Sequence, residues 1–410
     1  MSQTIALTRK SSFYERTIIG LFSKLPKGRL EMTLPSGEQL VFGDGTGGIR
    51  ADIRITDDSF FKRCVLYGDI GFGEAYTDGQ WETGSITNVI SWFLLNVEYA
   101  PVSGGTQQAV LNVLKFFNRI SHWRRANDKD GARKNISEHY DLNNDFFALW
   151  LDPSMTYSSA YFEKDSYTLA EAQTAKYERL CRQMRLQPGM HVLEIGSGWG
   201  ANAIHIASHY GCKVTTVTIS EEQHKLATER VKAAGLEDKV NVLLSDYRDI
   251  NGTFDRIVSV EMLEAVGDEF LDVFFAQCTK LLAKDGLLAM QVITCPDSRY
   301  ESLRTGVDWI QKHIFPGSLL PSVGRMNQAI NKAGDLTLVD IKDLGRHYAR
   351  TLAEWRKTFN AQREAVLQLG FDDRFMRKWN YYFSYCEAAF AMRNINVMQL
   401  LYTRPNNLNW

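Results

Sequence analysis

The sequence predicts an α/β protein in two parts, a larger domain on a parallel sheet preceded by a smaller α+β domain. Three observations carry this expectation. Beyond Ile136, strand-like and helix-like segments alternate at the spacing of parallel βαβ crossovers. One apolar strand there, within VLEIGSGWG at 192–200, runs into a glycine-rich turn that opens a helix, which makes the larger domain Rossmann-like. The first hundred residues instead contain runs that alternate apolar and polar at every second position, the mark of half-buried strands.

In chain order, RLEMTLPSGEQLVFG alternates around Pro35-Ser36-Gly37, a hairpin signal. The run IRADIRI follows the glycine-rich GDGTGG, and SITNVISWFLLN carries the apolar spacing of an amphipathic helix. Composition changes at 115–134, where Lys115, Arg119, Arg124, Arg125, Lys129, Arg133 and Lys134 interleave with Phe116, Phe117 and Trp123. This reads as a solvated linker and equally as a segment lying on anionic lipid headgroups, at about 1 kcal/mol per cation. The expected division is therefore an accessory, lipid-binding α+β domain at 1–114, a basic aromatic linker at 115–134 and the larger domain at 135–410. In the last, LAEAQTAKYERLCRQMRL leads through Pro188-Gly189 to the strand HVLEIGSG. KVTTVTI, VNVLLSDY, FDRIVSVEM and GLLAMQVIT are its further strands.

The 410 residues are enough for two domains with sizeable cores. Lys and Arg number 47 against 48 Asp and Glu, a net charge of −1 that excludes a globally basic nucleic-acid binder. A 44% hydrophobic share and only nine prolines exclude disorder. Six cysteines stand singly without a C-x-x-C pair, which suits free thiols in a reducing compartment and gives no metal site. Arg9, Lys10, Glu15 and Arg16 interrupt any signal-peptide core, and no window reaches the ~18 apolar residues of a membrane span. A soluble, cytoplasmic protein is expected.

Gly196, Gly198 and Gly200 let the backbone approach a ligand where a Cβ would collide. The motif's own acid is Glu194, and the next strand ends in Thr218-Ile219-Ser220 without the carboxylate that grips a nicotinamide ribose. SDY at 245–247 offers an acid and a ring, as an adenine amine and its flat face require. This set resembles that of S-adenosylmethionine-dependent methyltransferases, with nucleotide oxidoreductases as the runner-up.

Four more segments narrow the resemblance: HYDLNNDFFALWLDPSMTYSSAYF at 139–162, VTISEEQ at 217–223, SVEMLEAVG at 259–267 and HIFPGSLLPS at 313–322. Together they resemble the cyclopropane-fatty-acyl-phospholipid synthases and related mycolic acid methyltransferases, from about His139 to near Asn396 and more weakly over the N-terminal domain. The resemblance implies a class I S-adenosylmethionine-dependent methyltransferase domain. It places the cofactor on Tyr157, Ser158, Gly196, Gly198, Gly200, Thr218, Ile219, Gln223, Tyr247, Arg248 and Val260. It further implies a bicarbonate ion near the transferred methyl, with Glu264 as acidic ligand, Tyr348 as its tyrosine and Ile293 as a backbone contact.

Two positions depart from the family pattern. Ser159 stands where many members have cysteine and Gln291 where bacterial relatives often have histidine, although both can still donate to an anion. Cys386 matches a C-terminal cysteine once regarded as catalytic in the family, but its apolar neighbours suit a buried structural thiol. Glu261 reads at least as well as a capping carboxylate as a catalytic one, and His139 as a structural histidine. The aromatic runs (Trp150, Tyr161, Phe162; Trp379, Tyr381, Tyr382, Phe383, Tyr385) read singly as core, and together as a source of channel-lining rings.

The expected activity is methyl transfer to the cis double bond of an unsaturated phospholipid chain, followed by deprotonation of a carbocation with the help of bicarbonate. The product would be a cyclopropane, or a methyl-branched alkene if Ser159 and Gln291 alter the base site. An idle lipid-binding protein and a small-molecule N-methyltransferase are the competing classes. The resemblance also suggests a homodimer, peripheral at the inner face of the membrane, with no nucleic-acid partner.

Overall fold

The computed structural model describes residues 11–99 and 144–408, in two compact units. The basic stretch 115–134, His139 and Tyr140 lie outside the described residues.

The first unit comprises 1–123, 306–314 and 363–394. Its sheet has the order β2-β1-β3-β4, with β1 Arg29–Thr33, β2 Gln39–Phe42, β3 Arg50–Ile55 and β4 Trp81–Glu82. β1 and β2 form the expected hairpin, closing at Thr33 opposite Gln39, and β3 adds to β1 in parallel. Alternation works as the pattern requires, since Leu30, Met32, Leu40, Phe42, Ile53 and Ile55 are all buried. Helix Phe13–Phe22 opens on a Ser12/Glu15 capping box, and helix Ile86–Leu95 on Ser85.

Helix Asp373–Ala391 also belongs to this unit, so the single domain expected over 135–410 is interrupted. The reason is its ring-bearing face. Tyr381 lies 4.6 Å from Trp309 and 5.9 Å from Tyr76, and Arg377 donates to the Tyr76 carbonyl and to Glu82. Such partners, some 300 residues upstream in the case of Tyr76, are invisible to local periodicity.

The second unit comprises 124–305, 315–362 and 395–410. Its seven-stranded sheet runs β10-β11-β9-β8-β5-β6-β7. The strands are β5 His191–Ile195, β6 Lys213–Thr218, β7 Val240–Leu244, β8 Phe254–Val260, β9 Leu282–Thr294, β10 Thr337–Asp343 and β11 Asn396–Thr403. β5 to β9 are mutually parallel, and β11 inserts antiparallel between β9 and β10. The central strands are apolar almost throughout because helices cover both sheet faces, and Val192, Leu193, Ile257, Val258, Leu288 and Met290 are fully buried.

The strand order reverses at β5, which is flanked by β6 on one side and β8 on the other. In open α/β sheets such a reversal leaves a crevice at the carboxyl ends of the strands, where ligands bind. Among the described residues no helix is long and apolar enough to cross a membrane, and no cluster of acidic, histidine or cysteine side chains could hold a metal ion.

Candidate active site

Both strands that border the reversal end in an unusual turn. After β5 comes the glycine turn, with φ of +96°, +48° and +86° at Gly196, Gly198 and Gly200. A Cβ at Gly196 would come to 3.2 Å from Met262 and one at Gly200 to 3.3 Å from Ala227. A Cβ at Gly198 would meet nothing within 4 Å, so this edge of the turn is open on the side where a ligand can lie against the backbone. Glu194 faces inward, accepting from Thr216 Oγ1 at 2.5 Å and Asn202 Nδ2 at 2.8 Å, and burial pushes it up to about 7. It braces the turn against β6 and the following helix.

Beyond β6, Thr218 Oγ1 donates to Gln223 Oε1 at 2.8 Å and accepts from the Ser220 amide, while Ile219 is half-buried between them. The Gln223 amide oxygen is thereby engaged. Tyr247 and Arg248 follow β7. Arg248 grips Asp246 through Nε and Nη2 at 2.8 and 2.6 Å. The acid expected to meet an adenine amine is therefore held mainly by Arg248, and the Tyr247 ring stands edge-on to Phe274.

Tyr157, Ser158 and Ser159 lie on an irregular segment pinned from several elements. The Tyr157 ring contacts Trp150, Trp355, Phe147 and Phe315 with centroids 5.3–6.3 Å apart. Gln173 Nε2 donates to the Ser158 carbonyl at 2.9 Å, and the Ala160 amide donates to Thr351 Oγ1 at 3.1 Å. Lys176, fully buried, donates to Ser158 Oγ at 2.6 Å. Burial brings its ammonium down to about 7, against the pull of Glu261, Asp152 and Glu194.

β8 ends at Val260, and the next residue, Glu261, has φ of +49°, a conformation that side chains other than glycine rarely adopt. That bend aims its carboxylate at three donors. Oε1 accepts from the Ser159 amide at 2.8 Å and from Gln291 Nε2 at 2.7 Å, and Oε2 accepts from the Tyr348 hydroxyl at 2.8 Å. Gln291 sits on β9 between β8 and β11, wholly buried, and its own Oε1 accepts from Gln399 Nε2 at 2.9 Å. Gln291 Nε2 also donates to the Ser159 carbonyl at 3.1 Å, and because a backbone carbonyl can only accept, this contact sets the NH₂ end toward Glu261. Burial raises the Glu261 carboxyl, and its hydrogen bonds and Lys176 oppose the rise.

Glu264 lies on the short turn Leu263–Ala265. One oxygen accepts from the Ile293 amide at 2.5 Å, and the other is buried with no hydrogen-bond partner among the described residues. Burial and the Glu261 charge together push it up to about 8.

The five groups expected around a bicarbonate ion are thus brought together, but around other acceptors. Ser159, Gln291 and Tyr348 hold Glu261, and the Ile293 amide holds Glu264. An added anion would face the Glu261 carboxylate with these donors already engaged, so the residues present do not fit the ion. Cys386 lies on helix Asp373–Ala391 of the first unit, and burial pushes its thiol up, the opposite of what a nucleophile requires. Lys176 and Gln399 escaped the sequence reading. The signal for Gln399 is an amide in the apolar interior of the strand NVMQLLYT.

A sheet that reverses at a glycine turn, with hydrogen-bonded polar side chains gathered at the neighbouring strand end, and the likeness to a methyltransferase solved with SAH together define an S-adenosylmethionine-dependent methyltransferase of the class I α/β type. The family model described as mycolic acid cyclopropane synthetase matches residues 127–400. The chain belongs to the cyclopropane-fatty-acyl-phospholipid synthase family. It is 39% identical over 378 residues to the tuberculostearic acid methyltransferase UfaA1 of Mycobacterium tuberculosis, covering 88% of this chain and 86% of the relative. It is 38% identical over 360 residues to the cyclopropane-fatty-acyl-phospholipid synthase of Escherichia coli K12, covering 87% and 89%. Among solved structures, the mycolic acid cyclopropane synthase CmaA1 complexed with SAH and CTAB superposes with a TM-score of 0.62 at 31% identity, over 66% of this chain and 98% of that one.

Proposed function

We propose that this enzyme transfers a methyl group to the cis double bond of an unsaturated acyl chain in a membrane phospholipid and closes the added carbon into a cyclopropane. One observation carries the reading: the half-buried Glu261 carboxylate, held by three donors, lies at the strand end next to the glycine turn and touches a set of aromatic rings through Tyr348. The open edge at Gly198 and the Gln223 side chain would hold S-adenosylmethionine, which would supply an electrophilic methyl group.

The chain's own residues supply the rest. An isolated alkene is a weak nucleophile, so positioning in a dry pocket can lower the barrier by several kcal/mol. Methylation leaves a cation on the acyl chain, and ring faces stabilise cations where water is excluded. Tyr348 begins such a set of rings, 6.0 Å from Trp355, which in turn lies 5.3 Å from Tyr157. A neighbouring carboxylate can then remove a proton.

A second reading keeps the first step and ends in a methyl-branched alkene, the proton being taken from a neighbouring chain carbon. The altered surroundings of Ser159 and Gln291 favour it, as does the likeness to a tuberculostearic acid methyltransferase. In both readings the protein works peripherally on the bilayer at the inner face of the membrane as a homodimer, the cationic stretch 115–134 supporting contact with anionic headgroups.

The test is incubation with unsaturated phospholipid vesicles and methyl-labelled cofactor, followed by lipid mass spectrometry and proton NMR. A gain of one CH₂ with ring protons supports the first reading, and a vinylic or branched methyl signal the second. No labelled lipid would overturn both.

A further inference from the structure

We infer that the carboxylate of Glu261, built into the chain, takes the place of a bound bicarbonate as the anion that receives the proton from the methylated acyl chain. The inference rests on the methyltransferase reading above and adds the identity of the base.

Two side chains expected to bind the ion, through the Gln291 NH₂ and the Tyr348 hydroxyl, instead donate to Glu261, as does the Ser159 amide. The Ile293 amide is engaged by Glu264, and the Ser159 hydroxyl, the group expected to reach the ion, by the Ala160 carbonyl. A carboxylate has about four acceptor sites. Among the described residues Glu261 uses two on Oε1 and one on Oε2, so a lone pair of Oε2 remains for a proton.

The backbone gives independent support. Glu261 occupies a left-handed conformation, and strained residues persist where the surrounding structure holds them for function. Its own amide donates to the Gln291 carbonyl at 2.7 Å, so strand pairing carries the side chain into position. The Ser159 carbonyl, which can only accept, then keeps the Gln291 NH₂ rather than its oxygen on the carboxylate.

The steps balance. The alkene π pair forms the bond to the methyl carbon while the carbon–sulfur bond breaks and leaves its pair on sulfur. The cation left on the other alkene carbon is quenched by a C–H pair, either of the new methyl, closing the ring, or of an adjacent chain carbon, forming a double bond. The released proton goes to Glu261 Oε2, and the carboxylic acid loses it to water once product departs.

The experiment compares the full-length protein with Glu261→Gln and Glu261→Gly. Glycine is at ease at this φ, so Glu261→Gly relieves backbone strain while emptying the pocket. Labelled methyl transfer is measured on unsaturated phospholipid vesicles in carbonate-stripped buffer, with and without added bicarbonate, and binding of ¹³C-bicarbonate is read separately by NMR. The native protein should turn over equally in both buffers and leave the ¹³C signal unbroadened. Glu261→Gln should lose about 10²–10⁴-fold in turnover with cofactor affinity retained, the range for loss of a general base. Glu261→Gly should bind ¹³C-bicarbonate and recover at least about tenfold when it is supplied.

A native rate that falls on carbonate removal, ¹³C-bicarbonate binding to the native protein, or a fully active Glu261→Gln variant would each overturn the inference. If the native protein labels no lipid, the methyltransferase reading fails, while the NMR comparison still decides whether Glu261 occupies the anion site.

Discussion

Glu194 and Glu264 are both buried carboxyls that burial lifts above the ordinary carboxylate range, and they belong to adjacent strand ends. They differ in their partners. Thr216 and Asn202 each donate to one oxygen of Glu194, so this group is structural bracing for the glycine turn. Glu264 has one amide and, among the described residues, one oxygen without a partner, and three residues earlier Glu261 gathers donors from three separate parts of the chain. A fully satisfied buried carboxyl stabilises a fold, whereas a neighbouring pair with an open acceptor site is equipped to move a proton.

Several substitutions can break or sharpen that contrast. The largest effect, after those at Glu261, is expected from Tyr348→Phe. Losing a hydrogen bond to a charged group, about 1.5–3 kcal/mol, should lower turnover about 10–100-fold while the cofactor dissociation constant measured by calorimetry stays the same. On the other side of the crevice, Gly196→Ala should do the reverse. A left-handed non-glycine residue costs about 1–2 kcal/mol, so cofactor affinity should fall about tenfold with turnover at saturation largely retained. Glu194→Gln should leave turnover alone and cost about 1 kcal/mol in denaturant unfolding, because one of its two acceptor oxygens becomes a donor facing Thr216 or Asn202.

The smallest effect is a pH dependence of stability. Glu194 and Glu264 bind protons in the folded protein up to about 7 and 8, against an ordinary 4.5. Their contribution is therefore complete below 4.5 and is lost as pH rises through those values. Lys176, lowered from 10.5 to about 7, acts in the opposite sense, adding stability as pH rises from about 7 to 10.5. Thermal melts should show the melting temperature falling from pH 5 to 7, levelling between about 7 and 8, and rising above 8. Glu264→Gln should flatten the fall, and an unchanged slope would show that Glu264 is not protonated there.

Much of the cofactor side was legible because its requirements are local. Three alternate glycines, an apolar strand before them and a helix after them follow from φ and steric clearance over nine residues. The hairpin about Pro35-Ser36-Gly37 and the buried alternation of β1 to β3 follow in the same way from a period of two. The proton side was only half legible. Glu264, Tyr348, Ser159 and Gln291 came from resemblance, and what they hold did not, because an ion and a side-chain carboxylate ask for the same donors.

What the sequence determined by itself is the succession of β1 to β3 and of β5 to β9, the glycine turn and the supply of buried polar groups, since each is written in neighbours a few residues apart; β4, β10 and β11 were not read from it. The tertiary structure decided the partners. Register across β8, β9 and β11 brings Glu261, Gln291 and Gln399 into one row, and helix Gly345–Ala361 delivers the Tyr348 hydroxyl to its end. Hydrogen bonds between residues 87 to 108 positions apart depend on that register and on no local pattern, so the base could be identified only once the sheet was assembled.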